Sequence, residues 1–190
     1  MITRVKEIIT APKKEWAVIA GENVPHVKVF MGYVLPLSLI PAIAAFIGYG
    51  LIGYSAFGVH IHSMSWGIRQ AIVQWIAGVG GIYVTAMVVN FLAETFGTKK
   101  NFDQAFSLVA YSYTPLLIGG VFHILPALSI LVFIAGIYGL YLLYIGMQPM
   151  MKAPADKNTA YFLVSLVVTV VVSAVISAVL TAILLSSYFL

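Results

Sequence analysis

Residues 161–185 read YFLVSLVVTVVVSAVISAVLTAILL, a run without a single charged side chain. In helical form, at about 1.5 Å per residue, it is long enough to cross a hydrocarbon core of about 30 Å. Its few polar residues are not scattered. Ser165, Thr169, Ser173, Ser177 and Thr181 recur every four residues, with Ala174, Ala178 and Ala182 beside them. Lipid is as apolar as leucine, so membrane helices associate by close packing and buried polar groups. The spacing therefore predicts a helix-packing stripe on one face and a Val, Ile and Leu face toward lipid.

Working outward, four further windows have the same character, at about 29–53, 69–95, 104–122 and 126–147. The whole chain agrees with them. Of its 190 residues, 62% are hydrophobic and 8% charged, against about 45–50% and about 25% in soluble domains. These proportions exclude a disordered chain, a coiled coil and an ordinary soluble enzyme. The fold class expected is all-α: a polytopic membrane protein with a bundle of five transmembrane helices. The third window is the shortest and contains Pro115, so a re-entrant hairpin formed with the fourth is the alternative there.

Charge sets the expected orientation. The ten cations exceed the six acids, for a net charge of +4. Arg4, Lys6, Lys13, Lys14 and Lys28 precede the first span, Lys99 and Lys100 lie between the second and third, and Lys152 and Lys157 between the fourth and fifth. Only Arg69 falls on the other side. The positive-inside rule then places the N-terminus in the cytoplasm and the C-terminus outside. Cations interleaved with apolar runs form no stripe for nucleic acid, and none is expected as a partner. No cleaved signal is apparent in the first 28 residues. Ile2, Val5, Ile8 and Ile9 share one helical face there, and Pro12 suits the first turn of a second helix. Residues 1–28 thus read as a cytoplasmic interfacial amphipathic segment, and 29–190 as the five-span membrane domain.

Chemistry-bearing patterns are sparse. There is no cysteine, hence no disulfide or thiolate site. Gly48-Tyr49-Gly50-Leu51-Ile52-Gly53 matches a dinucleotide-binding spacing, but no strand precedes it and it lies inside a span. No metalloprotease, phosphate-loop or serine-nucleophile motif is present. No enzyme activity and no cofactor is expected. His60 and His62 in the loop 54–68, with His123 in the next loop on that side, form a weak metal-site candidate lacking any carboxylate or thiolate. Glu94, one turn beyond Asn90, is the acid nearest the membrane, where an ionisable group is a functional candidate; Lys99 or Lys100 could pair with it. In the second span Gln70, Gln74, Gly78, Gly81 and Thr85 fall on one face, with Tyr83, Asn90 and Glu94 nearly opposite. Such a helix belongs at the centre of its bundle. Pro115 predicts a kink in the third span, with the Ser112 or Thr114 hydroxyl taking up a freed carbonyl.

The stretches AYSYTPLLIGG (110–120) and GIYGLYLLYIGM (136–147), with PAIAAFIG in the first span, resemble the Yip family of Ypt/Rab-interacting integral membrane proteins, in its short prokaryotic branch. The family pattern falls on Tyr111, Ser112, Thr114, Pro115, Tyr138, Gly139, Tyr141, Tyr144 and Gly146. The resemblance implies five spans in a prokaryotic cytoplasmic membrane. Eukaryotic members work with Rab-type GTPases through a long cytosolic tail; only about 28 residues precede the first span here, and a GTPase partner is not carried over. Two functions follow as expectations. One is a non-enzymatic organiser or scaffold acting through helix association, with the bilayer and a second copy as partners. The other is a transporter or channel for a small solute, ion or lipid.

Overall fold

The computed structural model describes residues 1–56, 59–61, 63–125 and 128–186, and the side chains among them other than 54–61, 129 and 179–186. Two short helices, α1 (Ile2–Thr10) and α2 (Pro12–Gly21), lead into five long ones. These are α3 (His26–Ile52), α4 (Met64–Leu92), α5 (Phe102–Ile124), α6 (Ser129–Met151) and α7 (Asn158–Ser186). All five are long and apolar enough to cross a membrane. Between α3 and α4, strands β1 (Tyr54–Ala56) and β2 (Val59–Ile61) pair antiparallel, with Ser55 opposite His60.

Local chemistry explains the boundaries. The Ser63 hydroxyl accepts from the Trp66 amide, so α4 begins at Met64, ahead of the apolar window at about 69. Asn101 caps α5 by accepting from the Gln104 amide at 3.1 Å. The Gln104 side chain, instead of reaching back to Asn101, donates to Asn23 at 3.2 Å. α5 is broken at Tyr113, with helix resuming at Thr114–Gly119 and tightening to a 3₁₀ turn at Gly120–Ile124. Pro115 sits in the first turn of the resumed helix, where a missing N–H costs least. The Ser112 hydroxyl takes the Leu108 carbonyl at 2.7 Å, and the Thr114 hydroxyl goes to Tyr33. Wide π turns at Phe30–Val34 and Phe46–Ile52 flank the stretch of α3 that carries Pro36 and Pro41.

α4 and α5 form the middle of the bundle. α4 packs against α3, α5 and α7, and α5 against α3, α4 and α6. The glycines of the dinucleotide-like motif have packing reasons. A Cβ on Gly48 would stand 2.1 Å from the His123 carbonyl oxygen. One on Gly67, in α4, would stand 2.4 Å from the Gly50 Cα. Gly53 ends α3 at φ 76°, ψ −176°, an extended positive-φ conformation that glycine adopts without strain.

α7 meets α4 and α6 near its start. The Tyr161 hydroxyl donates to the Val89 carbonyl and its ring stacks on Phe96. Farther along, Val167, Val170, Val171, Val175 and Ile176 are exposed.

Candidate functional site

The N-terminal helices pack on the long ones, with α2 running alongside α6. The Tyr138 hydroxyl donates to the Ile9 carbonyl at 2.7 Å, so the turn between α1 and α2 stands level with the middle of α6. Ile8, Trp16 and Ile19 are fully buried in the same apolar cluster as Phe106, Leu108, Leu142 and Met147 of the long helices. Ile2, by contrast, is 79% exposed.

Three features seat this helical hairpin. Gly146 leaves a notch in α6: a Cβ there would lie 2.5 Å from the Trp16 ring and 2.7 Å from Leu108. The Trp16 ring meets Tyr111 edge-on at 6.5 Å, and Tyr111 meets Tyr33 edge-on at 4.7 Å. The Arg4 guanidinium stands 5.7 Å over the Tyr111 ring, within cation–π range. Arg4 also binds Glu15 and, at 2.7 Å through both carboxylate oxygens, Glu22. One cation from α1 therefore ties together a carboxylate of α2 and the one just past its end.

The electrostatics show how much burial this contact imposes. Burial pushes the Glu15 carboxyl above its ordinary value, with the neighbouring Glu7 adding to the shift, even though Arg4 pulls the other way. For Arg4, burial is the largest single influence and lowers its pKa. Glu22 and Glu15 together outweigh it and hold the guanidinium above its ordinary value.

Beneath the hairpin, the Tyr33 hydroxyl is 2.7 Å from the Thr114 hydroxyl, both buried, joining α3 to the break in α5. Gly139 lets α6 approach that break, since a Cβ there would lie 2.8 Å from the Ser112 carbonyl oxygen. Tyr111, Ser112, Thr114, Pro115, Tyr138, Gly139 and Gly146 thus gather where the hairpin meets α5 and α6. Two motif residues stay apart from this cluster. Tyr141 is exposed beside Tyr138, and Tyr144 reaches Thr159 at 3.2 Å. Arg4, Glu15, Trp16, Glu22 and Tyr33 were not singled out as site residues. An arginine on α1 and glutamates on and just after α2 were the available signal.

The remaining candidates fall elsewhere. Glu94 is exposed at the end of α4 and pairs with Lys100 at 2.7 Å. Asn90 lies one turn before it, its side-chain oxygen buried without a partner. His123 is engaged on both ring nitrogens, by the Gly120 carbonyl at 2.9 Å and the Gln74 amide at 3.1 Å. That pattern suits a neutral ring donating from Nδ1 and accepting at Nε2. His62 lies outside the described residues, and of His60 only the backbone is described. Among the described residues no group of three His, Cys, Asp or Glu could hold a metal ion. Ser165 and Thr169 bury their hydroxyls without a partner, Ser173 is half-buried, Ser177 is exposed, and the Thr181 side chain lies outside the described residues.

Beyond the hairpin, the face of α4 bearing Gln74, Gly78 and Gly81 lines a cleft of about 280 Å³ with Tyr113 and His123. The Tyr113 hydroxyl meets Thr85 at 3.2 Å. A neighbouring groove of about 460 Å³ shares Tyr113 and His123 and is otherwise mostly apolar. The arrangement as a whole supplies docking contacts and polar pairs.

Residues 6–187 match the family model described as Yip1 domain. The chain belongs to the Yip1 domain family. It is 26% identical over 172 residues to the inner membrane protein YohC of Escherichia coli strain K12, covering 88% of each chain. The YohC of E. coli O6:H1 strain CFT073 gives the same identity and coverage. No solved structure matches. The protein is accordingly a multi-pass protein of the inner membrane.

Proposed function

We propose that the protein is a non-enzymatic organiser of the inner membrane that self-associates through α7, with its N-terminus in the cytoplasm and its C-terminus outside. The observation that carries this reading is the face α7 leaves uncovered. Its first turns are packed on α4 and α6, but Ala174 and Ala178 are exposed on the outer half. Small residues four apart let a second helix approach closely, and such pairs favour right-handed crossings. The packing of Glu94 agrees: it sits in an exposed ion pair rather than facing a channel.

The orientation is supported by the placement of charge. Lys99, Lys100 and Lys152 stand at the same end of the bundle as the end of α2, while Arg69 lies near the start of α4, at the opposite end. A reporter fused after Leu190 tests this directly; a cytosolic signal would reverse the assignment. Self-association is tested by crosslinking in native membranes. The wild-type chain is expected as a crosslinked dimer or larger, reduced by Ser173→Leu combined with Ser177→Leu; a monomer indifferent to the pair sinks the reading.

A second reading, passage of a small solute, ion or lipid, draws support from the Gln74–His123 cleft. Flux into proteoliposomes that is lost in Gln74→Leu and His123→Phe would favour it; flux unaffected by either would remove that support.

A further inference from the structure

The lysine-bearing end of the bundle holds a cavity of about 690 Å³. It opens between the end of α2, the loop joining α4 to α5, and the turn that follows α6. Lys99, Lys100 and Lys152 line it together with the amides of Asn23, Asn101 and Gln104, and no carboxylate does. The nearby acids are already taken: Glu15 and Glu22 by Arg4, Asp103 by His26 and Glu94 by Lys100. Among the described residues, no carboxylate lies within ion-pair distance of Lys99 or Lys152. The walls are fixed, not floppy: the Thr98 hydroxyl donates to the Met151 carbonyl, clamping one loop to the other. The cavity also borders the N-terminal end of α5, where the helix dipole favours negative charge.

Lys152 adds an independent observation. It ends α6 at φ 54°, ψ 35°, the only non-glycine residue with positive φ among the described residues. Glycine or asparagine ends a helix this way with less strain. A lysine held in a left-handed conformation at the cavity wall carries a conformational cost, and such outliers concentrate at ligand sites.

We propose that this cavity, with Lys99 and Lys152 on its wall, binds the phosphate group of an anionic ligand. It lies at the lysine-bearing ends of α4, α5 and α6, where the headgroups of a bilayer crossed by these helices would stand. Two sources share that chemistry: an anionic phospholipid headgroup and a soluble phosphate ester.

The test uses the full chain purified in an uncharged detergent, with four probes: short-chain phosphatidylglycerol, short-chain phosphatidylcholine, glycerol phosphate and inorganic phosphate. Phosphatidylglycerol should bind and phosphatidylcholine should not. Lys99→Gln combined with Lys152→Gly should weaken binding about thirtyfold, by the usual worth of two lysines near an anionic surface. Because glycine relieves the left-handed strain, that variant should unfold no earlier than wild type, which separates lost binding from lost folding. Lys13→Gln combined with Lys14→Gln removes equal charge away from the cavity and should leave affinity unchanged. Binding of phosphatidylglycerol alone assigns the site to a lipid; binding of glycerol phosphate or inorganic phosphate that displaces it assigns the site to a soluble ester. The proposal is overturned if no probe binds, if both lipids bind alike, if the cavity variant binds like wild type, or if the control pair weakens binding equally.

Discussion

The third and fifth membrane helices are both apolar, yet the structure uses them in opposite ways. Over an 18-residue stretch, α5 has a mean hydropathy of 1.5 and is 72% buried; α7 has 2.4 and is 11% buried. The less greasy helix is the central one. In water the reverse would hold, because burial there is driven by apolar area. In lipid a helix gains little by hiding leucine, and the centre goes to helices with small side chains and hydrogen-bonding groups. α5 offers Ser112, Tyr113, Thr114 and Gly120 along its inward surfaces; α7 leaves Val167, Val170, Val171 and Val175 exposed.

If that contrast is right, bulk added against α5 should do far more harm than bulk added to the outer half of α7. The largest effect is expected for Gly48→Val, whose Cβ would collide with backbone at the end of α5, the His123 carbonyl. Overpacking against backbone costs about 3 kcal/mol. Thermal unfolding in detergent should show a clear loss of stability; an unchanged transition would mean that α3 and α5 are not held at this separation.

Next in size is Arg4→Met. It leaves Glu15, 4% exposed, without its cation. Removing one partner of a buried pair costs 3–5 kcal/mol. Since Glu22 is about a third exposed, solvent screening reduces the expected loss of hairpin docking to about 2 kcal/mol. The sign of the pH dependence follows from Glu15, whose folded pKa is already raised. The folded state thus holds this proton more tightly than the unfolded state does. Stability from that group is present at acid pH and is lost as pH rises through the raised value. The Arg4→Met defect should therefore be large at neutral pH and recede on acidification. Hydrogen exchange of α1 and α2 at two pH values reads it; a defect that grows toward acid would contradict the assignment.

How much of this was legible in the sequence differs by region for a physical reason. Span number and position were readable because hydrophobic length is imposed by the bilayer on each helix separately. The Pro115 break was readable because a missing N–H acts locally. The bend's partners were not: Ser112 serves Leu108 and Thr114 serves Tyr33, 81 positions away in sequence. The packing role of the glycine motif at 48–53 depends on His123 and Gly67, whose nearness no spacing reveals. The N-terminal hairpin was least legible. An amphipathic face looks the same whether it will meet headgroups or a notch such as Gly146. Only the improbable company of Arg4, Glu15 and Glu22 hinted that something would have to neutralise them together.

A smaller effect sharpens the comparison within the centre itself. Tyr33→Phe removes the buried hydroxyl contact with Thr114. Hydrogen bonds between membrane helices average about 0.6 kcal/mol in double-mutant cycles. A Tyr33→Phe and Thr114→Val cycle should return a coupling near that figure. A coupling near zero would show that the two hydroxyls find other partners when separated.

The smallest effect on stability is expected at Ala174→Leu and Ala178→Leu, on the part of α7 that the rest of the chain leaves uncovered. Both side chains are exposed, so a larger residue there fills no packed space and exchanges one lipid-facing group for another. Unfolding should shift by no more than about 0.5 kcal/mol. The two substitutions nonetheless place bulk on an exposed small-residue surface of α7, where a second helix could come close. Crosslinking between copies should therefore fall while the monomer keeps its stability, a separation that no substitution against α5 can produce. If stability and crosslinking fell together, α7 would be packed as tightly as α5, and the division between a polar centre and an apolar, associating rim would have to be abandoned.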